Sequence, residues 1–407
     1  MNQPSTIDQK IPAGTRLVSY SCPSCSHPEM AVFYEVRNVP VHSCLMMPSH
    51  PDAIEFPCGD VVLGFCPNCG FITNTEFDPK NSEYSPIYED QQSFSPTFNS
   101  FAHKLATRLI EKYDLRNKHI VEIGCSKGDF LLMMCELGNN TGVGIDPSAI
   151  VGRVRSVAND RVTFIQDYYS EKYADQVGEF ICCRHTLEHI HQTGELVRTV
   201  RRSIGDRLDT VVFFEIPDMG RVLVDQAFED IYYEHCSYFT PGSLARLFRQ
   251  EGFEVLDVYL DYGDQYLMIE ARPSATPTAI HPNEESVEQL AKNVELYTAK
   301  ISDKLAYWKQ HLEAMRSEGK RVAIWGSGSK CVAFLTTLGT KDLVDWVVDI
   351  NPYRHGRFIP GVGQEIRSPE SLKTYQPDEV IVMNAIYCTE IQDMLEKMGV
   401  KTKVVAI

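Results

Sequence analysis

Two acidic residues and two glycines follow successive apolar runs in the middle of the chain. In VEIGCSKGDFL (121–131), Glu122 lies near the end of a predicted strand, and Gly124 and Gly128 form a turn before a predicted helix. Asp146 ends the next apolar run, where a carboxylate can accept hydrogen bonds from ribose hydroxyls. The pairing favours an adenosyl ligand held where glycine lets the backbone approach closely, although such a turn can also be purely structural. It is not the G-x-G-x-x-G pattern, which argues against NAD.

Asp167 extends this pattern to a third apolar run. It follows the run in FIQDYY, where a carboxylate can bind the amino group of an adenine ring. A solvated loop acid is the alternative interpretation. Both interpretations stay open from the sequence.

Histidines gather after two further apolar runs. The run EFICCR leads to His185 and His189, and the run TVVFFEIP is followed by DIYYEH, which ends at His235. A histidine there can act as a general base near neutral pH. Any one of them can also be structural, but the clustering favours a site. Neither stretch fits H-E-x-x-H, and the pair of His185 and His189 lacks a recognisable third ligand, which argues against a catalytic metal.

Four cysteines near the amino terminus form two C-x2-C pairs. These are Cys22 with Cys25 and Cys66 with Cys69. Two such pairs can close a tetrahedral zinc site, and four thiolates leave no open position on the metal, so we expect a structural role. Four reduced, partly buried thiols are the alternative. A redox pair is less favoured, because the surrounding pattern is not thioredoxin-like.

Composition limits the class of protein. The 407 residues include 43% hydrophobic residues and carry a formal charge of -16, with a pI near 5.2. This charge argues against nucleic acid or an anionic membrane as a partner. The first residues lack an apolar signal region and no apolar run is long enough to span a bilayer, so we expect a cytoplasmic protein. Thirteen cysteines are then expected to be thiols or metal ligands.

The elements that position these residues fall into three segments. Residues 1–80 show short alternating runs typical of a small β-rich zinc-binding lobe. Residues 81–275 alternate strands and helices, which predicts a doubly wound α/β sheet. Residues 276–407 begin with a polar helix to about 318 and then repeat the alternation. We therefore predict three domains, the last one a second α/β unit.

Several motifs in one order resemble a known family. They are the paired C-x2-C, VEIGCSKG, DIYYEHCSYFTPGSLARLFRQEGFEVLDV and, near the carboxyl terminus, VAIWGSGSK, VVDINPYRHGRFIPG, SPESL and PDEVIVMNA. From Cys22 to Ile407 the chain resembles the bacterial sugar C-methyltransferases of antibiotic deoxysugar pathways. The resemblance implies a zinc-binding lobe, a class I methyltransferase core that uses S-adenosylmethionine, and a Rossmann-like C-terminal domain.

The family's functional residues carry over onto this sequence. The resemblance implies zinc at the four paired cysteines, and S-adenosylmethionine along Glu122, Gly124, Gly128 and Asp146. It implies that Tyr232, Glu234 and His235 are catalytic or supporting residues, with a further active-site histidine at His189. We predict that His235 removes a proton beside a sugar ketone, while His189 and Tyr232 serve the oxyanion or a proton relay.

The substrate region departs from the family pattern. A Tyr-x-Tyr-x-Ser stretch is expected before the first core helix, but here Tyr84 and Tyr88 are followed by Asp90, where a second close tyrosine would fall. The family's HGGSLR is replaced by YGDQYL at residues 262–267. The implied partner is a nucleotide-linked keto sugar, with Tyr84 and Tyr88 as substrate contacts, Lys330 near a phosphate and Asn384 in the cleft. Another activated small molecule, a non-catalytic nucleotide-sugar-binding protein and a C-terminal domain without a ligand are the alternatives.

Overall fold

The computed structural model describes residues 10–81, 87–276 and 279–407, so the predicted substrate contact Tyr84 lies outside the described residues. Three sheets organise the described chain. Among the described helices, none is both long and apolar enough to cross a membrane.

The amino-terminal sheet is antiparallel and contains five strands. They are β1 (Arg16–Ser19), β2 (Glu29–Pro40), β3 (Cys58–Phe65), β4 (Ile72–Asn74) and β10 (Ser237–Tyr238). The last strand comes from the central part of the chain and pairs with β4. Helix α1 (His50–Ile54) lies between β2 and β3 and begins at the cap Ser49, whose hydroxyl accepts from the backbone N–H of Asp52. The sheet is therefore completed by a segment far away in sequence.

The central sheet contains seven strands. They are β5 (His119–Ile123), β6 (Thr141–Ile145), β7 (Val162–Ile165), β8 (Phe180–Arg184), β9 (Val211–Pro217), β11 (Phe253–Asp261) and β12 (Tyr266–Pro273). Their order is β11-β12-β9-β8-β5-β6-β7, with β5 to β9 parallel and β12 antiparallel to both of its neighbours. Strand β5 lies between β6 and β8, so the connections diverge there, and this is where doubly wound sheets bind ligands.

The central part of the chain contains five α-helices in its described residues. They are α2 (Pro96–Tyr113), α3 (Asp129–Gly138), α4 (Thr193–Ile204), α5 (Met219–Asp225) and α6 (Pro241–Gln250). Helix α2 begins where the Ser95 hydroxyl accepts from the N–H of Phe98 and Pro96 occupies the first turn. Its buried residues, such as Leu105 and Leu109, recur at helical spacing and pack in a core with Ile120 of β5.

The carboxyl-terminal sheet is parallel and has five strands. They are β13 (Val322–Trp325), β14 (Trp346–Val348), β15 (Ile366–Arg367), β16 (Glu379–Val382) and β17 (Lys403–Ala406), in the order β15-β14-β13-β16-β17. Its helices are α7 (Val287–Ser317), α8 (Ser329–Leu338), α9 (Leu372–Tyr375) and α10 (Cys388–Met398). This is the second α/β unit that the sequence predicted, and the predicted fold class is confirmed.

The three units share their hydrophobic cores. One cluster joins Phe33 and Tyr34 of the amino-terminal sheet to Tyr297 of α7 and to Ile324 of β13. A second cluster joins the paired cysteines and Phe71 to the central sheet and α6. The amino-terminal unit therefore buries its apolar faces against both of the other units rather than in a core of its own.

Candidate active site

A cavity of about 540 Å³ lies where the carboxyl ends of the parallel strands of the two α/β units face each other. Its walls include Glu122 and Asp146 from the central sheet, and Asp349 and Asn384 from the carboxyl-terminal sheet. The volume is in the range of small-molecule sites. The two α/β units thus form one site between them.

Glu122 lies at the end of β5 and faces this cavity. One of its carboxylate oxygens accepts a hydrogen bond from the N–H of Leu131 in the first turn of α3, at 3.0 Å. Burial raises the pKa of Glu122 to about 8, and the positive charge of Arg184 opposes that rise. Glu122 therefore both fixes the helix start and presents a carboxyl group to the cavity.

Asp146 follows β6 and organises the loop around it. Its Oδ2 accepts from the N–H of Ser126 at 2.8 Å, and its Oδ1 accepts from the N–H and the hydroxyl of Ser148 at 2.6 and 2.7 Å. A carboxylate can accept about four hydrogen bonds, so one acceptor position remains beside the cavity. A free acceptor position of this kind can bind a ribose hydroxyl, and the assignment of Asp146 to the ribose stays a prediction.

The backbone conformation and close packing of the loop require its two glycines, whether or not a ligand is bound. Gly124 and Gly128 have φ of 72° and 83°, in the left-handed region that favours glycine. A Cβ on Gly124 would lie 1.9 Å from the Thr186 hydroxyl, and one on Gly128 would lie 2.4 Å from the Phe164 ring. Gly124 lines the cavity, whereas Gly128 caps α3 and does not line it. The structural reading of Gly128 therefore has direct support.

Asp167 lies two residues beyond β7 at the cavity rim. Its carboxylate accepts from Lys172 and from the hydroxyl of Tyr173 at 2.5 Å, and these bonds lower its pKa to about 2. The group is thus an ionised acid beside the cavity, with local partners. Both interpretations of the sequence remain compatible with this placement.

The histidines at the far side of the cavity come together. His189 and His235 have ring centroids 4.8 Å apart, and Nε2 of His235 lies 2.8 Å from the Tyr232 hydroxyl. All three side chains line the cavity. Burial first, and then the charges of His189, His185 and Lys330, hold the pKa of His235 well below its ordinary value. The His235 ring is therefore a neutral, lone-pair-bearing group at the site.

Glu234 points away from the cavity into the amino-terminal unit. It accepts from His42 Nδ1 at 3.0 Å, from the N–H of Ser43 at 2.8 Å, and from the Ser43 hydroxyl. Burial would raise its pKa, but the hydrogen bond from His42 and the nearby charges outweigh burial, and its pKa lies below the ordinary value. Its backbone carbonyl accepts from Nδ1 of His189 at 3.1 Å. Glu234 thus positions the histidines from behind.

Two partners in this region were not identified from the sequence. His42 and Ser43, which hold Glu234, lie in a stretch without a recognisable motif.

His185 has φ of 48° and lies 2.8 Å from Glu215 on β9. Burial opposes its charge, but Glu215 and Glu188 raise the pKa of His185 to about 9. The positive φ of a non-glycine residue at a strand end is visible only in the structure.

Lys330 and Asn384 line the cavity from the carboxyl-terminal unit, and both have protein partners. Lys330 forms an ion pair with Asp230 at 2.8 Å. The side-chain amide of Asn384 exchanges two hydrogen bonds with that of Gln265, at 2.8 and 2.7 Å. Both contacts connect the central unit to the carboxyl-terminal unit.

Tyr88 lies in a segment that crosses between the two α/β units. Lys127 of the glycine turn is buried and donates to the Tyr88 carbonyl at 2.5 Å and to Asp90 at 2.8 Å. Glu89 accepts from Arg153 in the central unit and from Asn351 in the carboxyl-terminal unit. Asp90, which stands where the family pattern places a tyrosine, therefore binds the lysine of the loop.

The carboxyl-terminal unit repeats the loop geometry of the central one. Asp349 follows β14 and accepts from the N–H of Ser327 and from the N–H of Asn351, each at 2.8 Å. Asp146 accepts in the same way from Ser126 and Ser148. In this unit Arg354 also contacts the acid, at 3.3 Å. The two sheets therefore present similar carboxylates to one cavity.

The paired cysteines converge at the other end of the amino-terminal sheet. The Sγ atoms of Cys22 and Cys69 lie 3.8 Å apart, those of Cys25 and Cys66 lie 3.6 Å apart, and all four sulfur atoms lie within 4.8 Å of one another. Sulfur atoms on a tetrahedron with metal bonds of about 2.3 Å would be about 3.8 Å apart. The spacing suits a tetrahedral ion and excludes a disulfide in this arrangement.

Comparison with known proteins gives matches over most of the chain. A family model described as a methyltransferase domain matches residues 97–258, and one described as the C-methyltransferase C-terminal domain matches residues 274–405. The C-methyltransferase NovU of Streptomyces niveus is 26% identical over 311 residues, which cover 71% of this chain and 72% of NovU.

Solved structures also match the chain. The magnesium protoporphyrin IX methyltransferase of Synechocystis PCC 6803, with bound SAH, covers 46% of this chain and 91% of its own, at 13% identity and a TM-score of 0.35. The 1,6-didemethyltoxoflavin-N1-methyltransferase of Burkholderia thailandensis covers 42% and 78%, at 16% identity and a TM-score of 0.32.

Proposed function

As a member of the bacterial C-methyltransferase family, this chain is an S-adenosylmethionine-dependent methyltransferase, and we propose that it methylates a carbon beside the ketone of a nucleotide-linked sugar. The observation that carries this proposal is the shared cavity. It brings Asp146 and Glu122 of one α/β unit, the pair of His235 and Tyr232, and Lys330 of the second unit around one volume.

The central unit would hold the cofactor. We assign Asp146 to the ribose hydroxyls, Glu122 and Gly124 to the wall beside the methionine part, and Asp167 to the adenine amino group. Gly128 contributes by letting α3 begin where it does. When bound, S-adenosylmethionine supplies a methyl group on a positively charged sulfur atom. The protein's part is to orient that methyl group toward the acceptor.

His235 is the proposed base. Its ring is neutral because burial lowers its pKa, so a nitrogen lone pair is available at neutral pH. It would take the proton from the carbon beside the ketone, and the electron pair left behind would be shared with the ketone oxygen as an enolate. That carbon is then the nucleophile for methyl transfer.

Tyr232 and His189 are the proposed partners of the enolate oxygen. Tyr232 has a hydroxyl that can donate, and its ring lies against His235 with centroids 4.1 Å apart. Hydrogen-bond donors aimed at a developing negative charge lower the barrier to forming it. Glu234 contributes as a positioning residue, because its carboxylate lies outside the cavity.

The carboxyl-terminal unit would bind the nucleotide-linked end of the acceptor. Lys330 is a cation at the cavity wall, and a phosphate could replace or share its contact with Asp230. Asn384 and Tyr88 line the same wall and complete the proposed acceptor site. Tyr84 is proposed for the same role from its position in the sequence.

Zinc is the proposed ion of the four paired cysteines. Four thiolates are a donor set typical of structural zinc, and the sulfur spacing fits a tetrahedral ion. The ion would hold the end of the amino-terminal sheet against the central unit, where Cys22, Cys66 and Cys69 are already part of a shared core.

Calorimetric titration tests the ligands separately. S-adenosylhomocysteine is titrated into the full chain, alone and with thymidine, uridine, guanosine or cytidine diphosphate. We expect micromolar binding that one nucleotide tightens, because both ligands would occupy one cavity. Binding that is unaffected by every nucleotide would overturn the nucleotide-linked substrate while leaving the cofactor assignment intact.

Methyl transfer to candidate keto sugars then tests the base. We expect His235→Ala to lose activity by a factor of about 100 or more, as removal of a general base does. Its affinity for S-adenosylhomocysteine should stay within about twofold of wild type, since His235 is not in the proposed cofactor set. Equal activity of the variant and the wild type would remove His235 from the mechanism.

A further inference from the structure

Glu188 is a buried carboxylate that the proposed function does not use. It lies in the short 3-10 turn Leu187–His189 after β8, is 2% exposed, and lines the cavity. Neither of its carboxylate oxygens has a hydrogen-bond partner within residues 10–81, 87–276 and 279–407. Its ion-pair contact is with Nδ1 of His185, at 3.6 Å. Burying a carboxylate in this state is costly unless a ligand satisfies it.

Two imidazoles complete a possible ligand set around this carboxylate. One ligand atom each from Glu188, His189 and His235 lies within 4.8 Å of the others. Nδ1 of His189 donates to the Glu234 carbonyl at 3.1 Å, which directs its lone pair to Nε2. Metal-binding histidines commonly donate their other nitrogen to such a carbonyl, because this fixes the ring and its tautomer.

We propose that Glu188, His189 and His235 bind one divalent transition-metal ion, such as Zn²⁺ or Co²⁺, in the wall of the cavity. Two imidazole nitrogens and one carboxylate oxygen form a donor set that such ions accept. The positive ion would contact the Glu188 oxygens, which have no hydrogen bond within the described residues and only the longer ion-pair contact with His185. This site goes beyond the proposed function and is separate from the four cysteines.

The fold supplies the ligand that the sequence did not reveal. The stretch from His185 to His189 offered two histidines without a third ligand, which argued against a metal. In the structure His185 is bound to Glu215, and His235 arrives from the loop after α5 to stand beside His189. The ligand set is therefore Glu188 and His189 from one loop with His235 from another.

Three protein ligands leave at least one coordination position open to the cavity. An oxygen atom of the acceptor can take that position in place of water. An ion on His235 also occupies a lone pair that the proposed base needs. We therefore expect added Co²⁺ to inhibit methyl transfer over the concentration range in which it binds. Activation would support the metal site equally and would instead remove the base role from His235.

Titration with Co²⁺ alone tests the site in the full chain as purified, with zinc in the four-cysteine site. We expect one Co²⁺ per chain whose visible absorption lacks the strong near-ultraviolet band of cobalt thiolates. Glu188→Gln keeps the size of the side chain and removes its charge, so this variant should no longer bind the Co²⁺ ion. His189→Gln should also fail to bind it. His103→Gln changes an exposed histidine of α2 and should keep it.

S-adenosylhomocysteine binding and zinc content, measured on each variant, show that it is folded. The proposal is supported if Glu188→Gln and His189→Gln still bind S-adenosylhomocysteine, keep their zinc content and lose only the bound Co²⁺ ion. It is overturned if the folded wild type takes up no Co²⁺ outside the cysteines, or if Glu188→Gln and His103→Gln bind Co²⁺ equally.

Discussion

Single carboxylates near the cavity do different work according to their partners. Glu234 is held by His42 and Ser43 and supports His189 through its backbone. We expect Glu234→Gln to lower the free energy of unfolding by about 1–3 kcal/mol, because the charged hydrogen bonds are weakened. Methyl transfer should fall while S-adenosylhomocysteine affinity stays the same. Chemical denaturation and kinetics on one preparation measure both, and a loss of cofactor affinity would contradict the positioning role.

Because of Glu122, we expect the free energy of unfolding to depend on pH. Its folded pKa is near 8, while its ordinary value is 4.5, so the folded state retains a proton that the unfolded state has lost. The stability from this group is fully present below about pH 4.5 and is lost as pH rises through about 8, by up to about 1.4 kcal/mol per pH unit. Glu122→Gln cannot titrate, and its amide oxygen can still accept from Leu131.

The measurement compares unfolding free energies from pH 5 to pH 8. We expect Glu122→Gln to gain stability relative to wild type as pH rises, because only the wild type must take up a proton on this side chain when it folds. Glu111→Gln, an exposed position on α2, is the control and should follow the wild type throughout. A constant difference between Glu122→Gln and wild type over this range would contradict the raised pKa.

The residues that sequence reasoning found are those fixed by local pattern. Asp146 could be identified because an acid at a strand end after a glycine turn has a recognisable spacing. Glu188 could not be identified in this way. Its distinguishing property is that its buried carboxylate oxygens have no hydrogen bond within the described residues, and only the structure shows this. His42 and Glu234 are far apart in sequence and meet only through the packing of the amino-terminal unit on the central one. Such partners depend on tertiary contacts that no local pattern encodes.

At the scale of elements, the hairpin between β11 and β12 connects two units. Its YGDQYL sequence places Tyr262 2.8 Å from the Tyr387 hydroxyl and pairs Gln265 with Asn384. Single changes Gln265→Ala and Asn384→Ala and the double change form a cycle of unfolding free energies. We expect a coupling of about 0.5–3 kcal/mol, as for residues in direct contact. A coupling near zero would show that the pair does not form in solution.

The long elements followed from the sequence and the short ones did not. The apolar runs that become β5, β8, β9 and β13 were predicted, as was α7. Strand β10, Ser237–Tyr238, has two residues and exists only because β4 stands beside it. Strand β12 lies between β9 and β11, and the alternation of apolar and polar residues along a strand does not determine which strands pair.

At the scale of the whole molecule, one cavity is made by two units of similar design. Asp146 and Asp349 each close a glycine turn by accepting from backbone N–H groups. Residues 87–95 and the YGDQYL hairpin bridge these units through Glu89 and Gln265. The amino-terminal unit lies behind the histidines and contacts both units. The proposed mechanism therefore uses residues of all three units rather than of the central unit alone.

The four-cysteine cluster affects the stability of the whole molecule. The cluster and Phe71 share a core with the central unit, and the ring of Phe71 packs at a tilt of 45° against that of Phe239, with centroids 4.8 Å apart. Without an ion, four thiols, three of them buried, must crowd together there. We therefore expect Cys25→Ser to lose bound zinc and to melt at a lower temperature by several degrees, which corresponds to about 2 kcal/mol or more for a chain of this size.

Cys58→Ser is the matched control, because Cys58 is an exposed thiol of the same sheet outside the cluster. Zinc content, melting temperature and methyl transfer should all match the wild type in this variant. In Cys25→Ser, methyl transfer should fall together with stability, since the unit that the ion holds also carries His42 and Ser43, which brace Glu234 behind His235. A Cys25→Ser protein with full zinc content and an unchanged melting temperature would rule out the four-cysteine site.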